Sequence, residues 1–150
     1  GDRPSWFDEG VAIWTNTKVD CHPKQFQEGR ISHPLNAPRQ YKLLKSGEIT
    51  INEFEDSPHT IGSIFFVALE EDYGCDINCI IIALRDIRQY RRNCDNSCLS
   101  KINPSYREFY KEYHREDLTI PIVNNDVIKD KFEKASKRDL SSLFSLLDLN

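Results

Sequence analysis

Apolar positions recur along this chain with the spacing of helices, and almost nowhere with the strict alternation of a strand. The first clear case is Pro4-Ser5-Trp6-Phe7-Asp8-Glu9-Gly10-Val11-Ala12-Ile13-Trp14. Phe7, Val11 and Trp14 fall at i, i+4 and i+7, and Trp6 and Ile13 widen the stripe on its flank. Pro4 stands where a first turn tolerates a missing N–H. Ser5, Asp8 and Thr15 share the polar side, and Glu9 lies at the border between Trp6 and Ile13. A carboxylate at the margin of so apolar a helix must find water, a cation or a metal, because an unpaired buried charge is too costly.

From Asn16 to Pro38 the pattern breaks at Pro23, Gly29, Pro34 and Pro38, which predicts a loop or covering segment. A short helix follows from Pro38 to Lys45 and stops at Gly47, and Glu48 to Asn52 alternates as a short extended piece. Leu43, Leu44, Ile49 and Phe54 are expected over the core. Ser57-Pro58 opens a strong helix as cap and first residue, with Ile61, Ile64, Phe65, Ala68 and Leu69 as its apolar stripe and Gly74 as its stop. Asp76 is placed to cap the next helix, whose stripe reads Ile77, Ile80, Ile81, Leu84 and Ile87. So short a turn predicts antiparallel neighbours. Pro104 begins a helix bearing Tyr106, Phe109, Tyr110 and Tyr113, the most economical reading of which is core. Leu118 to Val123 is apolar but interrupted by Pro121. Asn124 to Lys134 and Asp139 to Leu147 complete the set, with Lys134 to Arg138 as a hinge.

The chain has 150 residues, enough for one domain with a sizeable core. Its net charge of −4 does not favour nucleic acid or an acidic membrane as a partner. Its longest apolar run, near Ile80 to Leu84, falls far short of the roughly 18 residues that span a bilayer. There is no secretory leader at the start and no methionine anywhere, which points to sequence missing upstream.

Pro-x-Trp-x-x-Glu-Gly-x-Ala, read at Pro4 to Ala12, resembles the glutamate helix of the gluzincins, the thermolysin-like and peptidase-MA-like zinc metallopeptidases. The resemblance implies that Glu9 is the third zinc ligand, and that Gly10 and Ala12 let this helix pack close to the one bearing the other ligands. His59 to Leu69, closed by Tyr73-Gly74, is similar to the family's following helix. The family usually carries there a tyrosine that hydrogen-bonds the oxyanion; this chain has His59 in its place, with Gly62 matching the family glycine. The similarity covers Pro4 to Arg92. The family's His-Glu-x-x-His, which supplies two ligands and the general base, is absent from the chain and belongs upstream of Glu9.

Catalytic zinc takes three protein ligands and keeps a fourth position for water. The water's pKa falls towards about 7 and it attacks a polarised carbonyl. Two histidines one turn apart give two ligands, and a third must come from a separate element, the part a lone glutamate on a buried helix can play. The competing reading pairs Glu9 with Arg39 or Arg85. For His59, at the second position after Ser57, the two readings are a donor to a tetrahedral oxyanion and a helix-terminal histidine without a task. His22, His33 and His114 read as surface or loop residues. The arginines 85, 88, 91 and 92 read as a solvated helix end suited to the dipole, with an acidic partner as the alternative.

The five cysteines lean towards an oxidising, extracytoplasmic compartment. Cys75-x-x-x-Cys79 and Cys94-x-x-x-Cys98 repeat one spacing. A hairpin stapled between these pairs conflicts with the helix over residues 80–92, which separates Cys79 from Cys94 by roughly 20 Å, when a disulfide needs Cα atoms within about 7 Å. Local pairing of Cys94 with Cys98, pairing of Cys21 with Cys75 or Cys79, and free thiols all remain open.

These readings predict a mainly α fold, a helical bundle resembling the C-terminal helical subdomain of gluzincins, with residues 1–134 as the body and 135–150 as a terminal helix or tail. They predict the C-terminal portion of a zinc-dependent peptidase acting on peptide or protein substrates. Zinc would be held only together with the N-terminal part of the same protein, the isolated chain binding none and being inactive. The alternative is a non-catalytic helical interaction domain, a degenerate relative of such peptidases.

Overall fold

The structure is a computed structural model and describes residues 3–19, 32–54, 57–92 and 123–150. Those residues are mainly helical and include no strand. In chain order they form α1 (Ser5–Val19), α2 (Ser32–Ser46), a 3-10 turn (Ile51–Glu53), α3 (Ser57–Asp72), α4 (Ile77–Arg92), α5 (Asn125–Ser136) and α6 (Ser141–Leu146).

The core forms around α3, which packs against α1, α2 and the 3-10 turn. Ile64, Phe65, Ala68 and Leu69 are fully buried, as their spacing predicts, and Phe66 joins them. Phe65 is the hub. Its ring centroid lies 5.1 Å from Trp6, 5.3 Å from Phe66, 5.2 Å from Phe132 and 5.8 Å from Phe144, every pair edge-to-face. Edge-to-face pairing sets ring hydrogens against ring faces and adds roughly 0.5–1.5 kcal/mol per pair beyond area burial. One ring thereby ties α1, α5 and α6 to α3.

Several local signals act as their chemistry requires. Gly47 and Gly74 adopt φ of 77° and 61°, the left-handed stops of α2 and α3. The Asp76 carboxylate accepts from the Cys79 N–H at 3.0 Å and opens α4, and Asn124 accepts from Val127 N–H at 3.0 Å and opens α5. Residues 140–149 bury Leu140, Leu143, Phe144, Leu147 and Leu149 in the same core as Trp6 and Phe65.

Elsewhere the structure departs from the sequence reading. α1 runs on to Val19, past Asn16, with the Thr17 hydroxyl returning a hydrogen bond to the Trp14 carbonyl at 2.7 Å. α2 begins at Ser32, six residues before the predicted start, with Pro38 inside it. Pro34 lies in its first turn, where no N–H is needed, and Pro38 leaves the Pro34 carbonyl without its usual helical donor. The end of the predicted extended piece, Ile51 and Asn52, lies instead in the 3-10 turn, closed by a hydrogen bond from the Thr50 N–H to the Glu53 carboxylate, and the turn buries Ile51. α4 packs on α5 rather than lying antiparallel along α3. Its buried positions are Cys79, Ile80, Ala83 and Ile87, whereas Ile77, Ile81 and Ile82 are exposed, so the inner face is rotated from the predicted one. Cys75 and Cys79 form a disulfide with Cα atoms 5.1 Å apart, a pairing the sequence reading did not consider. The predicted helix after Pro104 and most of the Leu118–Val123 segment lie outside the described residues, as do Cys21, Cys94, Cys98, His22 and His114; Val123 itself is buried.

Candidate functional site

The site is built where α1 crosses α3. Contacts pair Glu9 with His59, Gly10 with Gly62, Trp14 with Phe66 and Lys18 with Glu70, a nearly constant offset. The two helices therefore run in the same direction. Two helical glycines meet at the crossing. A Cβ on Gly10 would lie 2.7 Å from the Gly62 Cα. A Cβ on Gly62 would collide with the Trp6 carbonyl oxygen and lie 2.5 Å from the Gly10 Cα. No other residue fits either position without moving backbone. The resemblance anticipated Gly10 packing close to a ligand-bearing helix; its partner here is α3, and Ala12 is exposed.

This close approach brings the two candidate site residues together. His59 Nε2 lies 2.9 Å from Glu9 Oε2, with the side chains 39 % and 43 % exposed. The pair thus sits at the rim of the crossing, reachable from outside and supported by the core beneath. At such exposure its electrostatic attraction is worth about 0–1 kcal/mol, too little to organise the fold. The crossing places the pair, and not the reverse. Neither predicted arginine partner takes part: Arg39 is exposed on α2, and Arg85 lies 3.6 Å from Asp86. The neighbouring carboxylate, Asp8, is engaged by Arg3 at 2.8 Å. Ser63, nearly fully buried, donates to the His59 carbonyl at 2.8 Å and steadies the first turn of α3. His33 lies on α2.

Further along the crossing a second polar group spans the helices. Glu70 accepts from the Trp14 indole N–H at 2.8 Å with one oxygen and from Lys18 at 2.8 Å with the other. Trp14 stacks on Phe66 at 5.7 Å. A pocket of about 150 Å³ opens here between α1, α2 and α3, lined in part by Ile13, Thr17, Ala37 and Val67. Glu9 and His59 do not line it. The pocket's charged groups, Lys18 and Glu70, are paired with each other, as Glu9 and His59 are.

Two more polar clusters hold helices in place. The Trp6 indole donates to Asn125 at 2.9 Å, and the Asn125 amide donates to the Leu149 carbonyl at 2.9 Å, fastening the chain end to α1. Asp72 accepts from the Tyr41 hydroxyl at 2.6 Å and from Lys45 at 2.8 Å. Lys45 and then Tyr41 hold the Asp72 carboxyl below the usual carboxylate range. Burial first, and then Asp72, push the Tyr41 hydroxyl far above its ordinary value. These partners are separated by tens of residues and have no local signature.

No family model, curated protein or solved structure matches the chain. Among the described residues no group of three or more His, Cys, Asp or Glu side chains is placed to hold a metal. Among the same residues no helix is long and apolar enough to cross a membrane.

Proposed function

We propose that the chain is the C-terminal helical portion of a gluzincin-type zinc metallopeptidase that hydrolyses peptide bonds in a peptide or protein substrate. Glu9 would supply the third zinc ligand, and the preceding part of the same protein would supply the His-Glu-x-x-His ligands and the general base. The observation that carries this reading is the half-exposed Glu9 carboxylate held 2.9 Å from the His59 imidazole, at a crossing whose backbone geometry both glycines enforce. Bound zinc would polarise the scissile carbonyl and activate a water. The chain's own part is to present the carboxylate in a fixed direction, to keep His59 beside it, and to support both on a packed aromatic core. As first read, His59 would donate to the oxyanion.

The test has two steps. The parent reading frame should encode His-Glu-x-x-His a short way before Glu9. In the full-length protein Glu9→Gln should then abolish peptidase activity, because the neutral amide is a poor zinc donor. A parent frame without that motif, or full activity in Glu9→Gln, overturns the proposal.

A second reading, a non-catalytic helical interaction domain, is favoured by α4, which exposes Ile77 and Ile81 one turn apart, and Ile82 beside Ile81 in sequence. On that reading Ile81→Lys would weaken capture of a partner and Glu9→Gln would leave it unchanged.

A further inference from the structure

We infer that the outer strip of α4 is a docking surface for an acidic amphipathic helix, which sets apolar residues on Ile77, Ile81 and Ile82 and carboxylates on Arg85 and Arg88. This rests on the interaction-domain reading and gives it a partner class; it calls on neither zinc nor the Glu9–His59 pair. Ile77, Ile81 and Ile82 are the exposed large apolar side chains among the described residues, and all three lie within two turns of one helix. Turning roughly 100° per residue, α4 sets them with Arg85 and Arg88 on one strip roughly 140° wide. Arg85 follows Ile81 by four positions and Ile82 by three, so it is a surface neighbour of both. Asn78 and Gln89 complete the strip, which carries no Asp or Glu. Asp86 lies at its edge, 3.6 Å from Arg85.

Charge selects the occupant. The whole chain carries −4, yet this strip bears two positive charges and no negative one. Carboxylates in register would meet both arginines, and apolar residues a turn or two away would cover isoleucine surface that faces water. A second copy of the chain offers no carboxylate here. Paired with itself across a two-fold axis, the strip sets arginine upon arginine or arginine upon isoleucine. An anionic membrane fits no better, because an interfacial helix keeps its cations on the face opposite its apolar one, whereas Arg85 stands in the middle of this strip. The platform is firm. Asp76 caps it, the Cys75–Cys79 disulfide pins its first turn, and Ile80, Ala83 and Ile87 anchor its other side. A helix fixed before its partner arrives loses little freedom on binding. From Ile77 to Arg88 the strip runs about 16 Å, three turns of a partner helix. So small an area suits a weak, transient association.

The test measures binding of a fluorescein-labelled helical peptide to the full-length protein by anisotropy. The peptide has about four turns, with leucines on one stripe and glutamates a turn beyond them; a second peptide has glutamine for every glutamate. The acidic peptide should bind, and added salt should weaken it. Ile81→Ala, at the most exposed of the three isoleucines, should weaken it about tenfold at an unchanged Tm. Arg88→Gln should weaken it about 2–5-fold, and that loss should vanish with the glutamine peptide, which a merely structural role of Arg88 would not give. A lowered Tm in Ile81→Ala would show that the chain itself covers the strip, and would overturn the inference. So would a dimer in sedimentation that Ile81→Ala dissociates, or capture by phosphatidylserine vesicles in place of the peptide. Equal affinity for the two peptides would overturn the acidic partner and leave the interaction reading standing. No binding of either at up to about 1 mM would overturn both.

Discussion

The α1–α3 crossing and the α4–α5 contact join helices by different means. At the first, two glycines bring backbone against backbone, and polar pairs bridge the flanks at Glu9–His59 and at Trp14–Glu70–Lys18. At the second, contact is made by side chains, with Ile80, Ala83 and Ile87 buried on α4 and Ile128 and Phe132 on α5. Lys131 lies over the Tyr90 ring, at 5.6 Å. A backbone contact has no rotamers to adjust. A side-chain contact can repack. The residues with candidate chemistry lie on the rigid crossing, where a carboxylate can be aimed.

That contrast is broken most sharply at Gly62. Alanine in an ordinary helix gains roughly 1 kcal/mol over glycine. At Gly62 the added carbon strikes the Trp6 carbonyl and the Gly10 backbone, so steric overlap outweighs propensity. Gly62→Ala should destabilise by about 3 kcal/mol, the upper end for overpacking. At this chain length that is a fall in Tm of roughly 6–12 °C by calorimetry. An unchanged Tm would mean that the helices do not touch there.

The turn into α4 comes next. The Cys75–Cys79 disulfide closes a sequence separation of only 4, so it restrains few unfolded conformations. The chain-entropy relation gives about 2 kcal/mol for so short a loop. Reduction, or Cys79→Ser, should lower stability by that amount in a denaturant titration, with the loss greatest in amide protection of the first turn of α4. The α4–α5 contact should be more tolerant still. Ile87→Val, losing one buried methyl, should cost about 0.5–1.5 kcal/mol.

The smallest effect is expected at Asp72, whose side chain is 40 % exposed. Lys45 and Tyr41 lower its folded pKa. The stability it adds is therefore fully present above the unfolded carboxylate value of about 3.9 and is lost as pH falls through the lower folded value. Solvent screening limits the amount to about 1 kcal/mol. Asp72→Asn should flatten the acid limb of the stability profile below about pH 4 and cost under about 1 kcal/mol at neutrality.

Most helices were legible because their signals are local: the apolar period of α1 and α3, Gly74 as a stop, Asp76 as a cap. The start of α2 was not, because Pro34 and Pro38 read as breakers while the structure tolerates both. The inner face of α4 was misjudged because isoleucines surround it on several sides, and only packing on α5 selects Ile80 and Ile87 over Ile77 and Ile81. Glu9 was singled out by its place at the margin of an apolar stripe and by the family resemblance, and His59 by that resemblance and its place near a helix start. Their 2.9 Å contact depends on two parallel helices with α2 between them in sequence, and no local pattern encodes that. Gly10 and Gly62 carried a partial signal, since a glycine inside a helix costs stability unless something approaches closely.

Under the proposed function, this crossing aims one carboxylate at a metal. The direct measurement is the zinc content of the purified full-length protein, with and without Glu9→Gln. About one zinc per chain is expected in the unsubstituted protein, as for a single catalytic site, with loss of most of it in Glu9→Gln at an unchanged Tm. An unsubstituted protein free of zinc, or a Glu9→Gln protein that keeps its full zinc, would contradict it.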